Sequence, residues 1–265
     1  MERSLDRPRT AVLGCCTMSD YGPSTYGDRW AGIYDSFARV PSDTADSVRF
    51  LASLAGPGPV LELAIGTGRV ALPLAQMGVE VHGIDASEAM VAKLREKPGG
   101  ADIPVTIGDF ADVGVDGHYS LVFIVFNTLW ALLTQDDQVR CVRNVAEHLT
   151  DDGVFVVTAA VPDPGRFDRG QRVGATHVDV DSLVIEASRH DPVNQRVESQ
   201  HIFVGPDGIR PLPVFIRYVW PSELDLMARL AGLRLRERFG GWNGEPFDAS
   251  SLRHVSVYER PMGTA

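Results

Sequence analysis

One stretch limits what this chain can fold into more than any other: residues 59–85, PVLELAIGTGRVALPLAQMGVEVHGID. Pro59 to Leu63 is too short and too apolar for anything but a buried parallel strand, and Val70, Leu74 and Met77 then recur at helical spacing. Between them, Gly66 and Gly68 let the backbone turn sharply and approach a ligand where a side chain would intrude. A second apolar run closes on Asp85, roughly 20 residues after the turn, where a carboxylate is placed to accept hydrogen bonds from ribose hydroxyls. The whole reads as a β-turn-α-β unit that binds a nucleoside, although a tight turn in another α/β protein would use the same residue types. The turn lacks the GxGxxG spacing of dinucleotide binders, and Glu62 would repel a pyrophosphate. A cationic ligand is expected beside Glu62.

The segments ELAIGTGR at 62–69, GIDASEAM at 83–90 and GDF at 108–110 together resemble the class I S-adenosylmethionine-dependent methyltransferases, over roughly residues 40–160. That resemblance implies an α/β protein with a Rossmann-like seven-stranded methyltransferase sheet, helices on both faces, and S-adenosylmethionine as cofactor. It places Glu62 near the aminoacyl end of the cofactor, with Ala64, Gly66, Thr67 and Gly68 forming the turn. Asp85, followed by Ala86, would take the ribose, Met90 would pack on the adenine, and Asp109 with Phe110 would border the adenine edge. Ala64 stands where this family usually carries its first glycine, and a methyl group is the smallest intrusion there.

Composition narrows the partners. Twenty-five Lys and Arg against 35 Asp and Glu give a formal net charge of -10, which repels phosphate backbones and anionic lipid surfaces, so neither nucleic acid nor membrane is an expected partner. The three cysteines offer no disulfide framework or zinc spacing, which suits a reducing cytoplasm. The seven histidines contain no pair at helical metal-ligand spacing, and no metal is expected. No apolar stretch approaches membrane-spanning length, and the charged N-terminus has no apolar core, so a soluble, unexported chain is expected.

Along the chain, residues 1–18 are polar and aperiodic, a disordered tail in which Met18 is an alternative start. Residues 19–55 form an N-terminal helical lid: Tyr26, Trp30 and Tyr34 fall at i, i+4 and i+8, one aromatic stripe of a helix. The stripe either packs on the core or roofs the cofactor, because an electron-rich ring face attracts a sulfonium as it does an ammonium. Residues 56–160 make the S-adenosylmethionine-binding core, with Ser87 capping a helix, strands at 105–107, 121–125 and 153–159, and a helix opened by Asp136 and Asp137. Over 161–213 the pattern alternates by two between tight turns, an inserted antiparallel β-meander above the active site that returns to the main sheet. Residues 214–265 complete the sheet, beginning with a strand at 214–220, then a helix capped by Ser222 and a final hairpin.

Just past the fourth strand, Phe126 and Asn127 lead into Leu129 and Trp130. Ligands of open parallel sheets meet the carboxyl ends of the strands, so this turn should face the transferred methyl. Tyr26, Tyr34, Phe126 and Asn127 are accordingly the candidate catalytic residues, with Trp30 on the cofactor. Arg217, Tyr218, Trp242 and Asn243 are further residues within reach of a substrate, and His177 and His201 are the histidines considered for proton traffic. Methyl transfer from a sulfonium needs collinear positioning more than acid or base, and a desolvated aromatic pocket favours a neutral amine. A hydroxyl acceptor would more often call for a base, and no His-Asp or Lys arrangement stands out. The expected protein is an N-methyltransferase acting on a small-molecule amine in antibiotic biosynthesis, resembling the lincosamide type (celesticetin and lincomycin). An O-methyltransferase of another natural product, a nicotinamide-dependent dehydrogenase and a non-catalytic S-adenosylmethionine-binding protein are the alternatives, and a homo-oligomer is left open.

Overall fold

The computed structural model describes residues 20–37, 43–206 and 208–261; the expected tail at 1–18, with Cys15 and Cys16, lies outside the described residues. In chain order, α1 (Thr25–Trp30), α2 (Tyr34–Phe37) and α3 (Thr44–Leu54) precede β1 (Val60–Leu63), α4 (Ala71–Gln76), β2 (Val81–Asp85) and α5 (Glu88–Arg95). Next come β3 (Val105–Ile107), β4 (Tyr119–Ile124), α6 (Gln135–Glu147) and β5 (Leu149–Ala160). Four strands follow, β6 (Gln171–Val178), β7 (Leu183–Asp191), β8 (Arg196–Gly205) and β9 (Gly208–Arg217), then α7 (Pro221–Leu230), β10 (Arg234–Phe239) and β11 (Arg253–Glu259).

Seven strands pair in the order β10-β11-β5-β4-β1-β2-β3. β1 to β5 run parallel, and β11 and β10 close the edge as an antiparallel hairpin. Every residue of β1 and β4 is buried, as continuous apolar strands between two helical layers must be. One core joins Val142 and Val145 of α6 and Leu224 and Met227 of α7 to Phe155 and Tyr258 on one side of the sheet. The other joins Val48 and Leu51 of α3 and Leu74 of α4 to Phe123 and Val156. Helices therefore cover both faces as expected, and α3 is part of that cover, packed on the sheet behind the lid.

Several local expectations change. The stripe residues do not share one helix: residues 31–33 form a turn between α1 and α2. The meander has an additional strand, β6, and its last strand runs to Arg217, so the segment from 214 belongs to a separate four-stranded sheet, β6-β7-β8-β9, and does not join the main one. Register explains this, since β9 pairs with β8 without a break from Gly208 to Arg217. α6 is capped by Thr134, whose hydroxyl accepts the Asp137 amide at 3.1 Å, and α7 starts with Pro221 at its first turn while Ser222 makes no cap.

A buried polar knot holds the second sheet against the first. The Arg217 guanidinium donates to Glu223 at 2.8 Å and to Gln195 at 3.1 Å, and also reaches Gln138 of α6. Gln138 in turn donates to the carbonyls of Arg217 and Leu132, at 2.9 and 3.0 Å. These partners leave Arg217 occupied by structure and not by a substrate. Tyr218, beside it, is buried against Trp130 and His190.

His254 of β11 is buried, bonded through Nδ1 to Ser256 Oγ at 2.8 Å. Burial, reinforced by the Arg238 charge, pulls its pKa from 6.5 down to about 4. Unfolding therefore takes up a proton between those values, and stability falls as pH drops through that window. His254→Gln should flatten the pH dependence of the denaturant midpoint between pH 6.5 and 4; an unchanged slope would show that this imidazole does not resist protonation.

Candidate active site

The ends of β1 and β2 are joined through one carboxylate. Asp85 Oδ2 accepts the Gly66 amide at 2.7 Å and its Oδ1 accepts the Ser87 amide at 2.8 Å. Burial raises its pKa against those two donors. The turn it holds has three residues with positive φ: Ala64 at 55°, Gly66 at 56° and Gly68 at 79°. Ala64 thus takes a left-handed conformation that costs a residue with a Cβ about 1–2 kcal/mol. The two glycines serve different ends. A Cβ on Gly68 would stand 2.3 Å from Leu94 and 3.1 Å from Leu72, whereas one on Gly66 would meet only the Ala64 carbonyl at 3.9 Å. Packing requires Gly68; at Gly66 the protein leaves open space.

Behind this turn lies buried charge. Glu62 is 4% exposed and its Oε2 has no partner. Burial pushes its pKa well above the carboxylate range, opposed by the Ala71 amide and Arg69. The Arg69 guanidinium lies 3.5 Å from the centre of the Phe126 ring, with Nη2 also unpartnered, and burial lowers its pKa. Arg69 was part of the GTGR segment, yet nothing in its spacing announced that it would fold back over Phe126. Phe126 and Asn127 both have positive φ, 59° and 66°, and the turn is tied to β5 by Phe126 N–H on Thr158 Oγ1 at 2.9 Å. Asn127 is exposed, and its Oδ1 accepts the Ala160 amide at 2.6 Å. Its observed work is to hold the turn. Trp130 is buried in the core beyond it, and Trp242, also buried, stands 6.4 Å from Phe126. Asn243 bonds Asp46 instead, at 3.1 Å.

The aromatic stripe closes over these strand ends despite the break between α1 and α2. Tyr26 stacks on Trp30 at 5.5 Å and meets Tyr34 edge-on at 6.5 Å. The Tyr34 phenol is buried near the charges of Arg69, Glu62, Asp35 and Asp85. Burial raises both phenol pKa values, most strongly for Tyr26. Polar contacts pin the lid at two points: Ser87 Oγ donates to Asp28 at 2.7 Å, and Thr67 Oγ1 donates to Asp35 at 2.6 Å. Lys97 adds an ion pair to Asp35 at 2.8 Å. Gly27 sits so close to the start of α5 that a Cβ there would be 2.4 Å from Ser87.

Met90, capped in place by Ser87, is buried in a cluster with Trp30 and Leu212. Ala86 is half-buried between Asp85 and that cap. The Gly108 amide donates to the Asp85 carbonyl at 3.0 Å, which ties the backbone just before Asp109 and Phe110 to the end of β2, although Phe110 itself packs into the core. His201 lies edge-on to Trp30 at 5.5 Å, a neighbour of the site, while His177 lies in β6 farther along the second sheet. Among the described residues no three metal-ligating side chains cluster, and no helix is long and apolar enough to cross a membrane.

Comparison with known proteins agrees with this geometry. Residues 60–153 match the family described as Methyltransferase domain. The chain is 44% identical to the CcbJ methyltransferase of Streptomyces caelestis, with a TM-score of 0.86 over 91% of this chain and 100% of that one. It is 29% identical to the cypemycin N-terminal methyltransferase of a Streptomyces species, over 92% of this chain and 100% of that one. The fold is shared with CalS10, an amino pentose methyltransferase from Micromonospora echinaspora solved with bound S-adenosylmethionine, at 21% identity and a TM-score of 0.65 over 86% and 97% of the two chains.

If Asp28 and Asp35 hold the lid, replacing both by Ala should speed amide hydrogen exchange across residues 21–37 and leave β1 and β4 protected. Exchange unchanged in the lid would mean that ring packing alone keeps it closed.

Proposed function

The chain belongs to the class I S-adenosylmethionine-dependent methyltransferases, and on that premise we propose that it transfers one methyl group to the amine nitrogen of a small natural product in antibiotic assembly, an N-demethyl lincosamide precursor being the acceptor to try first. When bound, S-adenosylmethionine supplies a methyl carbon already activated by its sulfonium.

The residues present fit that cofactor. Two buried polar atoms, Glu62 Oε2 and Arg69 Nη2, lack partners, and an acid beside a guanidinium matches the ammonium and carboxylate of an amino acid end. The open space above Gly66 admits a ligand where a Cβ would stand. Asp85 has lone pairs left for ribose hydroxyls beyond its two backbone donors. Asp109 and Phe110 would border the base, with Met90 and Trp30 closing that end. On this reading Tyr34 belongs to the cofactor side, and Tyr26 and Phe126 face the acceptor.

The single observation that carries the reading is the unpaired Glu62 and Arg69 beneath an aromatic lid. Burial raises the Tyr26 pKa, so its phenol stays protonated and orients the acceptor by hydrogen bonding instead of taking its proton. The amine must therefore arrive neutral, which a desolvated aromatic chamber favours. Relatives named as N,N-dimethyltransferases, from Saccharopolyspora spinosa at 26% identity and Streptomyces venezuelae at 30%, support nitrogen over oxygen. Asn127, bonded to β5, shapes the turn under Phe126.

Incubation with S-adenosylmethionine and N-demethyllincomycin, followed by mass spectrometry, should show a gain of one methyl on nitrogen, with kcat/KM rising with pH toward the amine's own pKa. Methylation of a hydroxyl, on this or another acceptor, would overturn the nitrogen assignment. Glu62→Gln carries a second expectation with two signs. A buried carboxyl with a raised pKa loses folding stability as pH rises through that value. The variant should therefore melt higher than the unaltered chain at alkaline pH without ligand, yet bind S-adenosylmethionine about ten-fold more weakly in calorimetry. Unchanged affinity would remove Glu62 from the cofactor site.

A further inference from the structure

The second sheet turns a polar group toward the site that neither the cofactor residues nor the lid employs. Side chains alternate along a strand, and the register sets Glu186 opposite His201 and Ser188 opposite Ser199. On the same face Val197 packs into the core with Trp130. His201 meets Trp30, and Trp30 stacks on Tyr26, so Glu186 stands one strand behind the aromatic lid. On its other side Arg166, 3.8 Å from Glu186 Oε1, lines a cavity of about 80 Å³ together with Trp130 and Val197.

The Glu186 side chain is 13% exposed. Its Oε1 accepts the Ser188 hydroxyl at 2.7 Å and faces Ser199 Oγ at 3.5 Å, while Oε2 lies 3.7 Å from Arg172, longer than a hydrogen bond. A glutamate that served only to tie strands would close on a guanidinium. Glu198, on the opposite face of the same strand pair, does so with Arg189 at 2.5 Å. Glu186 instead holds a carboxylate hydrogen-bonded by serines, with Arg166 and Arg172 at ion-pair distances of 3.8 and 3.7 Å and neither guanidinium close enough to hydrogen-bond it. Those two arginines would repel an amine cation, and the carboxylate would repel an anion. A neutral group that both donates and accepts suits the mixture.

We propose that Glu186, oriented by Ser188 and Ser199, is the specificity residue for the acceptor's body and accepts hydrogen bonds from hydroxyls on a sugar-like portion distant from the reacting nitrogen. This deepens the N-methyltransferase reading and rests on it. A site built to pair with a substrate hydroxyl discriminates through groups it would otherwise leave unpaired.

The test uses the full chain, S-adenosylmethionine and N-demethyllincomycin, whose amine bears a hydroxylated sugar. Glu186→Gln should raise KM about ten-fold with kcat nearly unchanged, and Ser199→Ala should raise it less. Affinity for S-adenosylhomocysteine and the melting temperature should stay those of the unaltered chain. An unchanged KM, or a kcat lost together with S-adenosylhomocysteine affinity, overturns the proposal and returns Glu186 to a structural role. If the unaltered chain leaves this probe unmethylated, the acceptor reading fails first and this proposal with it.

Discussion

The Asp85 carboxylate, shared between the amides of Gly66 and Ser87, is the contact from which the rest of the site is built. It fixes the turn after β1 against the start of α5, so two separate stretches of backbone present their ends at one place. Both then hold the lid. Ser87 caps α5 through the Met90 amide and donates its hydroxyl to Asp28, and Thr67, next to Gly66, donates to Asp35. Loss of the Asp85 bridge would loosen cofactor turn, helix start and roof together, because each hydrogen bond depends on the position set by the one before.

The site stores unfavourable electrostatics that a ligand can relieve. Glu62 is buried with one oxygen unpaired, and the half-buried Arg69 keeps one buried nitrogen, Nη2, unpaired as well. In a native interior such atoms are uncommon and costly. A zwitterionic amino acid end would satisfy both, which turns a folding cost into binding selectivity for this class of cofactor. Arg69 also covers the Phe126 ring, and that ring belongs to a turn with two successive left-handed residues. Backbone strain and a guanidinium thus meet at one turn past the end of β4.

The second sheet is set against the core at both ends. It is anchored by the Arg217–Glu223–Gln138 knot at one end and by Trp30 against His201 and Phe203 at the other. Between those anchors the wall carries polar side chains, where an ordinary core would carry only apolar ones.

Much of this was legible in residue order alone, because periodicity and turn chemistry act over a few residues. The apolar run 60–63, the glycine turn, Asp85, the Ser87 cap and the closing hairpin all follow from patterns read within one or two elements. The aromatic stripe was legible as well, although its helix breaks at residues 31–33 once Trp30 is drawn onto Met90 and the second sheet. What the linear chain did not disclose depends on partners far apart in it. Asp28 finds Ser87 59 positions away, Asn127 finds Ala160 33 away, and Arg69 lies on Phe126. β9 joins the second sheet because the ladder with β8 is unbroken to Arg217, a choice between two sheets that alternation by two leaves open. Local patterning therefore set the strands, helices and glycine turn, while the order of strands in the sheet was expected from the family resemblance. Only tertiary packing decided which polar atoms are left unpaired in the interior and which polar side chains share the face of the second sheet that meets Trp30, since burial and pairing are properties of neighbours in space and not of neighbours in sequence.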